Sequence, residues 1–333
     1  MNKLNIALLT GGFSAESNIS LLSAVKVYEW IDKSVYNVWL ITLTPDEWFY
    51  EDESGAKTSV DKNDFSILIN KEKINFHLAV FFPLHGPPAE DGKIQAYFDM
   101  LNIPYTGCGV LASAISFDKS ACKIFIEKTG VAMARSVLCL RETSLFDCTA
   151  LILRSLSLPV FIKPNKNGSS YGVTKVLRES EIEEGLIKAF EFDDEVIIEE
   201  YIEGREFSCG VYVLNGKVIA LPPTEIISTT GFFDYEAKYM GKSKEVTPAE
   251  LSVEETSEMQ MWSKKIFIAL GCKTLSRIDF ILKGNVFYFL EANTTPGMTN
   301  ESLVPQQVRA AGMDVAWFIN SLIAERLEAV KNA

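Results

Sequence analysis

The sequence predicts an α/β protein of two or three domains, and three observations carry that reading. Residues 4–9 form a buried-looking apolar run, Gly11-Gly12 follows, and Ile19, Leu22 and Val25 then recur at helix spacing through about Trp30. Strand, glycine turn and helix in that order open an α/β unit. Further apolar runs and helical patterns follow along the chain. At 333 residues the chain is long enough for each domain to bury its own core.

The remaining elements follow in order. Val38–Leu43 and Leu78–Phe82 read as strands, the polar stretch 51–64 between them as loop, and Ile94–Leu101 as helix. Pro104-Tyr105-Thr106-Gly107 breaks the chain and sets the end of an N-terminal domain, 1–107. Residues 111–129 read as helical. Val160–Lys163 and Val173–Leu177 read as strands about a glycine-rich turn, Glu181–Phe190 as a helix, and Val196–Ile198 as a short strand that closes a central domain, 108–199. A C-terminal domain, 200–333, opens with Phe207–Val213 and Lys217–Leu221, a hairpin around Asn215-Gly216. Residues 229–248 are polar, contain Gly231 and Gly241, and read as a long mobile loop. A helix over about 253–270 and a final helix from Val315 to Val330 complete the chain. No repeat or low-complexity tract is present.

Composition narrows the function. Hydrophobic residues are 47% and charged residues 23%, as in ordinary soluble globular proteins. A net charge of −12 argues against a nucleic-acid surface, which needs a basic stripe to neutralise phosphates. It leaves room for a small anionic substrate held by a local cluster of Lys and Arg. The six cysteines form no C-x-x-C pair and only two His accompany them, which argues against a zinc site or a disulfide framework. Scattered thiols fit a reducing compartment. The apolar run Ile6–Leu9 is too short for a signal-peptide core, and no segment approaches the ~18–20 apolar residues of a membrane span. A cytoplasmic protein with no membrane partner is expected.

Residues 277–298, RIDFILKGNVFYFLEANTTPGM, carry the clearest chemistry. Ile278–Leu282 and Val286–Leu290 are strand-like runs, and Lys283-Gly284-Asn285 is a tight-turn signal. Arg277 and Asp279 share one strand face, as do Glu291 and Asn293. Folding the hairpin brings the pairs together near its open end. Two carboxylates and an amide oxygen suit Mg²⁺ shared with phosphates, and an Arg beside them suits a transferring phosphoryl group. On this segment alone a solvated strand edge is the commoner explanation.

Four other segments add to it. In KPNKNGSSYGV (163–173), Gly168–Gly172 offers backbone N–H groups to phosphates, with Lys163 reaching from the preceding strand. It lacks the G-K-[ST] ending and following helix of a P-loop, and a flexible hairpin loop would look the same. VIIEEYIEGREF (196–207) offers a strand edge for adenine and carboxylates for ribose, although an acidic surface loop has the same composition. FPLHGPPAEDG (82–92) places His85 at a strand end, where α/β sheets bind ligands; a lone His is more often structural. GGFSAES (11–17) sits at a helix N-terminus, which favours anions, while Glu16 within it suits a cation or amine, or is a first-turn charge.

Taken in order, GGFSAESNISL, LHGPPAEDGKIQ, IPYTGCGVLASAISFDK, FIKPNKNGSSYGV, DYEAKY, RIDF and LEANTTPGMTNESLVP resemble the D-alanine–D-alanine ligase family of the ATP-grasp superfamily. The resemblance runs from Gly11 to about Leu303. It implies a three-domain ATP-grasp fold, in which a Rossmann-like N-terminal domain accompanies two α+β domains that clamp ATP. It implies ATP-dependent ligation of two D-alanines through an acyl phosphate, for peptidoglycan precursor synthesis, with two Mg²⁺ ions (Mn²⁺ as a substitute) and a homodimer. By residue, it implies that Lys119, Lys163 and Lys238 contact phosphates, Glu199, Glu200, Tyr201 and Ile202 hold adenine, and Glu206 binds ribose. Asp279, Glu291 and Asn293 match metal ligands, and Arg277 and the Gly297 backbone match the oxyanion-stabilising groups. Glu16 matches the residue holding the first substrate's ammonium, with His85 beside it, and Ser302 and Leu303 match the second substrate's carboxylate site. Ser169 and Tyr239 match a hydrogen-bonded link to Glu16, and the 229–248 loop matches a lid that excludes water from the acyl phosphate.

Two departures stand out. Pro88-Ala89 replace the family's usual aromatic or Leu and Gly, and Tyr171 replaces a small aliphatic residue. The rival readings are a ligase with D-lactate or D-serine as second substrate, another ATP-grasp carboxylate–amine ligase, and a catalytically dead nucleotide-binding protein. Tyr239 argues against lactate, the NTTPGMTNESL segment against another ligase, and the intact metal-ligand set with Arg277 against a dead protein.

Overall fold

The computed structural model describes residues 3–14, 16–168, 170–228 and 243–331. The first sheet contains β1 (Leu4–Gly11), β2 (Tyr36–Leu43), β3 (Trp48–Glu51) and β4 (Lys57–Ser59), while β5 (Ser66–Ile69) and β6 (Glu72–Asn75) form a separate hairpin. With β7 (Leu78–Val80), the sheet order is β4-β3-β2-β1-β7. β1 lies between β2 and β7 and is parallel to both. Ile6, Ala7, Leu8 and Leu9 are therefore buried on both faces, the pattern of a central parallel strand. The crossover that parallel pairing requires is α1 (Ser17–Trp30). The turn into it needs Gly11, at φ +87, because a Cβ there would collide with the Leu43 carbonyl oxygen. The 51–64 stretch is not all loop. Lys57–Ser59 pairs with Phe49–Glu51 as a polar edge strand, and one open edge facing water explains its composition.

α2 (Lys93–Leu101) follows. The helical pattern at 111–129 resolves into α3 (Val110–Phe117), α4 (Lys119–Ile126) and a 3₁₀ turn, Glu127–Thr129. The break falls at Asp118, whose carboxylate caps α4 by accepting the Ala121 N–H (2.9 Å). After β8 (Ala132–Met133) comes an antiparallel sheet of β9 (Ser136–Leu140), β10 (Val160–Pro164), β11 (Thr174–Val176) and β12 (Glu195–Glu200), in the order β11-β10-β12-β9. α5 (Leu145–Ser155) and α6 (Ile182–Phe190) cover it, burying Cys148, Ile152, Leu186 and Ala189 against Ile162, Val196 and Ile198.

The large sheet holds β13 (Arg205–Leu214), β14 (Lys217–Ala220), β15 (Thr224–Ser228), β16 (Ser243–Val246), β17 (Leu275–Lys283) and β18 (Val286–Asn293), with β8 parallel to β18 at its edge. Residues 243–246, expected within the long loop, are thus a strand paired with β15. α7 (Val253–Ala269) packs on this sheet through Met259, Ile266 and Phe267. So do Cys108, Ala112, Cys122, Ile126 and Val131, which the sequence groups with the central unit. α8 (Leu303–Ala310) and α9 (Val315–Lys331) close the chain. α9 returns to the first sheet, where Phe318, Ile319, Leu322 and Ile323 share a core with Ile6, Leu8, Val27, Leu78 and Val80. All six cysteines are buried free thiols. Among the described residues no helix is long and apolar enough to cross a membrane.

Candidate active site

The β17–β18 hairpin sets the site's register. Lys283 pairs with Val286 and Phe280 with Phe289, and an uninterrupted ladder would then place Asp279 opposite Leu290. A bulge after Asp279 shifts the count by one, so Asp279 faces Glu291 and Arg277 faces Asn293. Because side-chain direction alternates along a strand, that single residue puts all four side chains on one face. Asp279 is buried (3% exposed). It accepts from Ser208 Oγ on β13 (2.7 Å) and from Arg277 Nε (3.0 Å) and Nη2 (2.7 Å). Arg277 Nη2 lies 4.0 Å from Glu291 Oε1. Asn293 Oδ1 accepts the Thr295 N–H (2.9 Å). Among the described residues no three His, Cys, Asp or Glu side chains form a metal-holding group. The set here is two carboxylates and an amide oxygen, a donor chemistry that fits Mg²⁺ or Mn²⁺ completed by phosphate oxygens and water.

On one side of this face is a cavity of about 170 Å³ between the central and large sheets. Lys119, Lys163, Glu199, Glu200, Tyr201, Ile202 and Glu206 line it, with Phe161, Ile281 and Phe289 as apolar walls. Lys163 Nζ lies 2.5 Å from one oxygen of Glu199 and Lys123 Nζ 2.6 Å from the other. Burial alone would raise the Glu199 pKa, but the two ammonium groups outweigh it and hold the carboxyl down at about 2. Lys123, one turn beyond Lys119 on α4, was not among the expected residues; its i+4 spacing is the signal that could have found it. Lys119 Nζ donates to the Asn167 carbonyl (2.6 Å) at the start of the glycine-rich turn. Tyr171 in that turn stacks on Phe192, with centroids 6.2 Å apart.

On the other side is a cavity of about 330 Å³, lined by Glu16, His85, Arg277, Asn293, Gly297, Ser302 and Leu303 among others. Lys119, Asn167, Gly168 and Glu291 line both cavities, so the two are continuous at the metal-competent face. Glu16 reaches from the start of α1 toward the glycine-rich turn. A Cβ on Gly168 would lie 3.2 Å from both of its carboxylate oxygens. His85 Nδ1 donates to the Thr295 carbonyl (3.0 Å), which leaves Nε2 to accept the Ser23 hydroxyl (3.1 Å). Burial lowers its pKa, against the pull of Glu16, and favours this neutral ring. Glu90, in the same loop, accepts from Thr295 Oγ1 (2.6 Å). Burial, then the nearby Glu16, push its pKa up to about 7. Neither Glu90 nor Glu245, which accepts from Gln306 Nε2 (2.5 Å) and also lines this cavity, was expected from sequence. Ser302 stands before α8, and its hydroxyl accepts the Thr299 N–H (3.0 Å). A Cβ on Gly297 would meet that hydroxyl at 2.9 Å.

Asp279 lines neither cavity and lies beneath Arg277. Every other expected site residue within the described set lines one or both. Ser169, Lys238 and Tyr239 lie outside the described residues.

An α/β domain with a parallel sheet centre, beside two sheets that enclose a cavity next to a carboxylate–arginine cluster, defines the ATP-grasp class. The closer assignment comes from comparison. Residues 5–108 match the family model for the D-ala D-ala ligase N-terminus, and residues 125–324 match that for the C-terminus. A D-alanine–D-alanine ligase of Bacteroides fragilis is 42% identical over 325 residues, 97% of this chain and 99% of the relative. That of Parabacteroides distasonis is 42% identical over 327 residues, 98% of each. Among solved structures, a D-Ala:D-Ser ligase from Enterococcus faecalis superposes with a TM-score of 0.87 at 31% identity, over 98% of this chain and all of that one. The D-alanyl-alanine synthetase A of Vibrio cholerae gives 0.87 at 30%, over 98% and 99%. The chain belongs to the D-alanine–D-alanine ligase family.

Proposed function

We propose that this enzyme joins two molecules of D-alanine into D-alanyl-D-alanine for peptidoglycan precursor synthesis, converting ATP to ADP and phosphate. The observation that carries this is the continuity of the two cavities across Lys119, Gly168 and Glu291. A nucleotide on one side then presents its terminal phosphate to a carboxylate on the other. A solved relative from Bacillus anthracis, 28% identical, is described as complexed with ATP.

In this reading a carboxylate oxygen of the first D-alanine attacks the γ-phosphorus and ADP leaves. The amine of the second D-alanine then attacks the acyl carbon, and phosphate departs. Lys119, Lys163 and Lys238 hold the phosphates, Glu199 to Ile202 the adenine, and Glu206 the ribose. Glu16 takes the first substrate's ammonium, with His85 buttressing that pocket. Ser302 and Leu303 take the second carboxylate, while Arg277 and the Gly297 N–H stabilise the tetrahedral oxyanion. Ser169 and Tyr239 link the lid loop that precedes β16 to Glu16. Asp279, Glu291 and Asn293 would hold two Mg²⁺ ions, which when bound neutralise phosphate charge.

The domains in this reading are 1–107, 108–199 and 200–333, and the location is the cytoplasm. A homodimer is supported by the exposed apolar residues Leu21, Leu22, Val25 and Tyr28 on α1.

The test is phosphate release and dipeptide formation with ATP and Mg²⁺, comparing D-alanine, L-alanine, and D-alanine mixed with D-serine or D-lactate. D-alanyl-D-alanine from D-alanine alone is the expected product. The D-Ala:D-Ser relative makes D-serine the second reading, and a dominant mixed product would replace D-alanine in the second position. No phosphate release above background with any substrate would sink both readings.

A further inference from the structure

Gln307 is fully buried on the second turn of α8, and its side chain does the work of a strand. β13 changes partner along one edge, pairing with β15 over Glu206–Ser208 and with β14 over Val211–Leu214. The Gln307 amide enters at the switch. Its Nε2 donates to the Ser208 carbonyl (3.0 Å) and to Thr224 Oγ1 on β15 (3.1 Å), and its Oε1 accepts the Gly210 N–H (2.8 Å). Both N–H groups and the oxygen are thus used. The approach requires glycine at 210, since a Cβ there would come within 2.8 Å of Oε1.

The two β13 residues so held are the cross-strand neighbours of the reactive cluster. Ser208 pairs with Asp279 and Gly210 with Arg277. The Ser208 hydroxyl, in turn, donates to Asp279 Oδ1 at 2.7 Å. One side chain therefore connects the helix that follows Ser302 to the strand position that orients Asp279.

We propose that Gln307 is a positioning residue that locks the second-substrate end of α8 to the Ser208–Asp279–Arg277 cluster, holding the amine's acceptor seat and the phosphoryl side in one geometry. This rests on the roles assigned above to Ser302, Leu303, Asp279 and Arg277. Each link in this connection is a hydrogen bond between buried groups.

Two variants of the full-length enzyme test it. Gln307→Met keeps length and removes every hydrogen bond; Ser208→Ala cuts only the final link to Asp279. The readouts are the KM for the second D-alanine, the KM for ATP, Mn²⁺ affinity by electron paramagnetic resonance in the presence of ADP, and the melting temperature. Gln307→Met is expected to weaken Mn²⁺ binding and raise the second D-alanine KM, each by roughly tenfold, the scale for losing a group that orients a ligand. Ser208→Ala is expected to weaken Mn²⁺ binding similarly and leave the second D-alanine KM unchanged. A lower melting temperature for Gln307→Met with wild-type KM and Mn²⁺ affinity would reduce Gln307 to core packing and overturn the proposal. If Gln307→Met does not fold, wild-type Mn²⁺ affinity in Ser208→Ala overturns it as well. Wild-type enzyme that binds Mn²⁺ but makes no dipeptide refutes the ligase reading instead, and the Mn²⁺ comparison still decides the Gln307 link.

Discussion

Arg277 and Asp279 neutralise each other in a nearly closed pocket, with side chains 14% and 4% exposed. Removing Arg277 leaves the Asp279 carboxylate buried without its cationic partner, a change that costs about 3–5 kcal/mol. Arg277→Met is therefore expected to lower stability by that order, read by denaturant unfolding. It is also expected to reduce kcat by about 10²–10³-fold, the usual cost of losing an oxyanion donor. Glu90 gives a pH signature. Its folded pKa, about 7, lies above its ordinary 4.5, so the protonated carboxyl is the form the fold prefers. The stability it lends is complete below pH 4.5 and disappears as pH rises through 7. Glu90→Gln should flatten the melting temperature between pH 5 and 8, where wild type declines. An unchanged decline in the variant would assign it to another group. Glu199 runs the other way. Its pKa of about 2 lies below 4.5, so the stability it gains from Lys163 and Lys123 is present above pH 4.5 and lost as pH falls toward 2.

α4 shows how an element serves the site. Asp118 caps it and also accepts from Asn165 Nδ2 (2.8 Å), while Asn165 Oδ1 accepts the Ser120 N–H (2.9 Å). That knot fixes the turn carrying Lys119 and Lys123 against β10. Asp118→Ala is expected to cost about 1–2 kcal/mol and to raise the KM for ATP several-fold, measured with D-alanine saturating. The same scale explains what the sequence disclosed. Apolar periodicity and turn residues identified β1, α1, the Asn215-Gly216 hairpin and the long helix α7, because those signals are local. The pairing of Arg277 and Asp279 with Glu291 and Asn293 was anticipated, but the bulge on which it depends was not. A bulge is set by how β17 sits between β13 and β18, and no residue within the hairpin announces it. β4 and β16 were missed because polar edge strands read as loop. Glu90 and Lys123 were missed because their importance comes from partners distant in sequence, Thr295 and Glu199.

At the scale of the whole molecule, the first sheet is completed from the far end of the chain. Phe318, Ile319, Leu322 and Ile323 are at most 1% exposed, and burying such side chains contributes about 1.5–3 kcal/mol each. Together they rival the entire net stability of a typical domain, about 5–15 kcal/mol. Truncation after Gly312 is expected to abolish cooperative unfolding of the first sheet. A truncated chain melting within a few degrees of wild type would contradict the packing described. His85 adds a second tie, joining the N-terminal loop to the Thr295 carbonyl of the large-sheet unit.

The return of α9 has a consequence for how the protein is made. A ribosome delivers β1, β2 and β7 long before it delivers Val315–Lys331. Throughout that interval the face formed by Ile6, Leu8, Leu78 and Val80 has Val27 of α1 and the following Ile31 against it but lacks the cover that α9 supplies. The nascent chain must therefore carry an adhesive, half-built domain through most of its synthesis, a state prone to association with other chains. Its first-made sheet waits on a late-made helix, so synthesis of α9, rather than emergence of the N-terminal residues, starts the clock for completing that core.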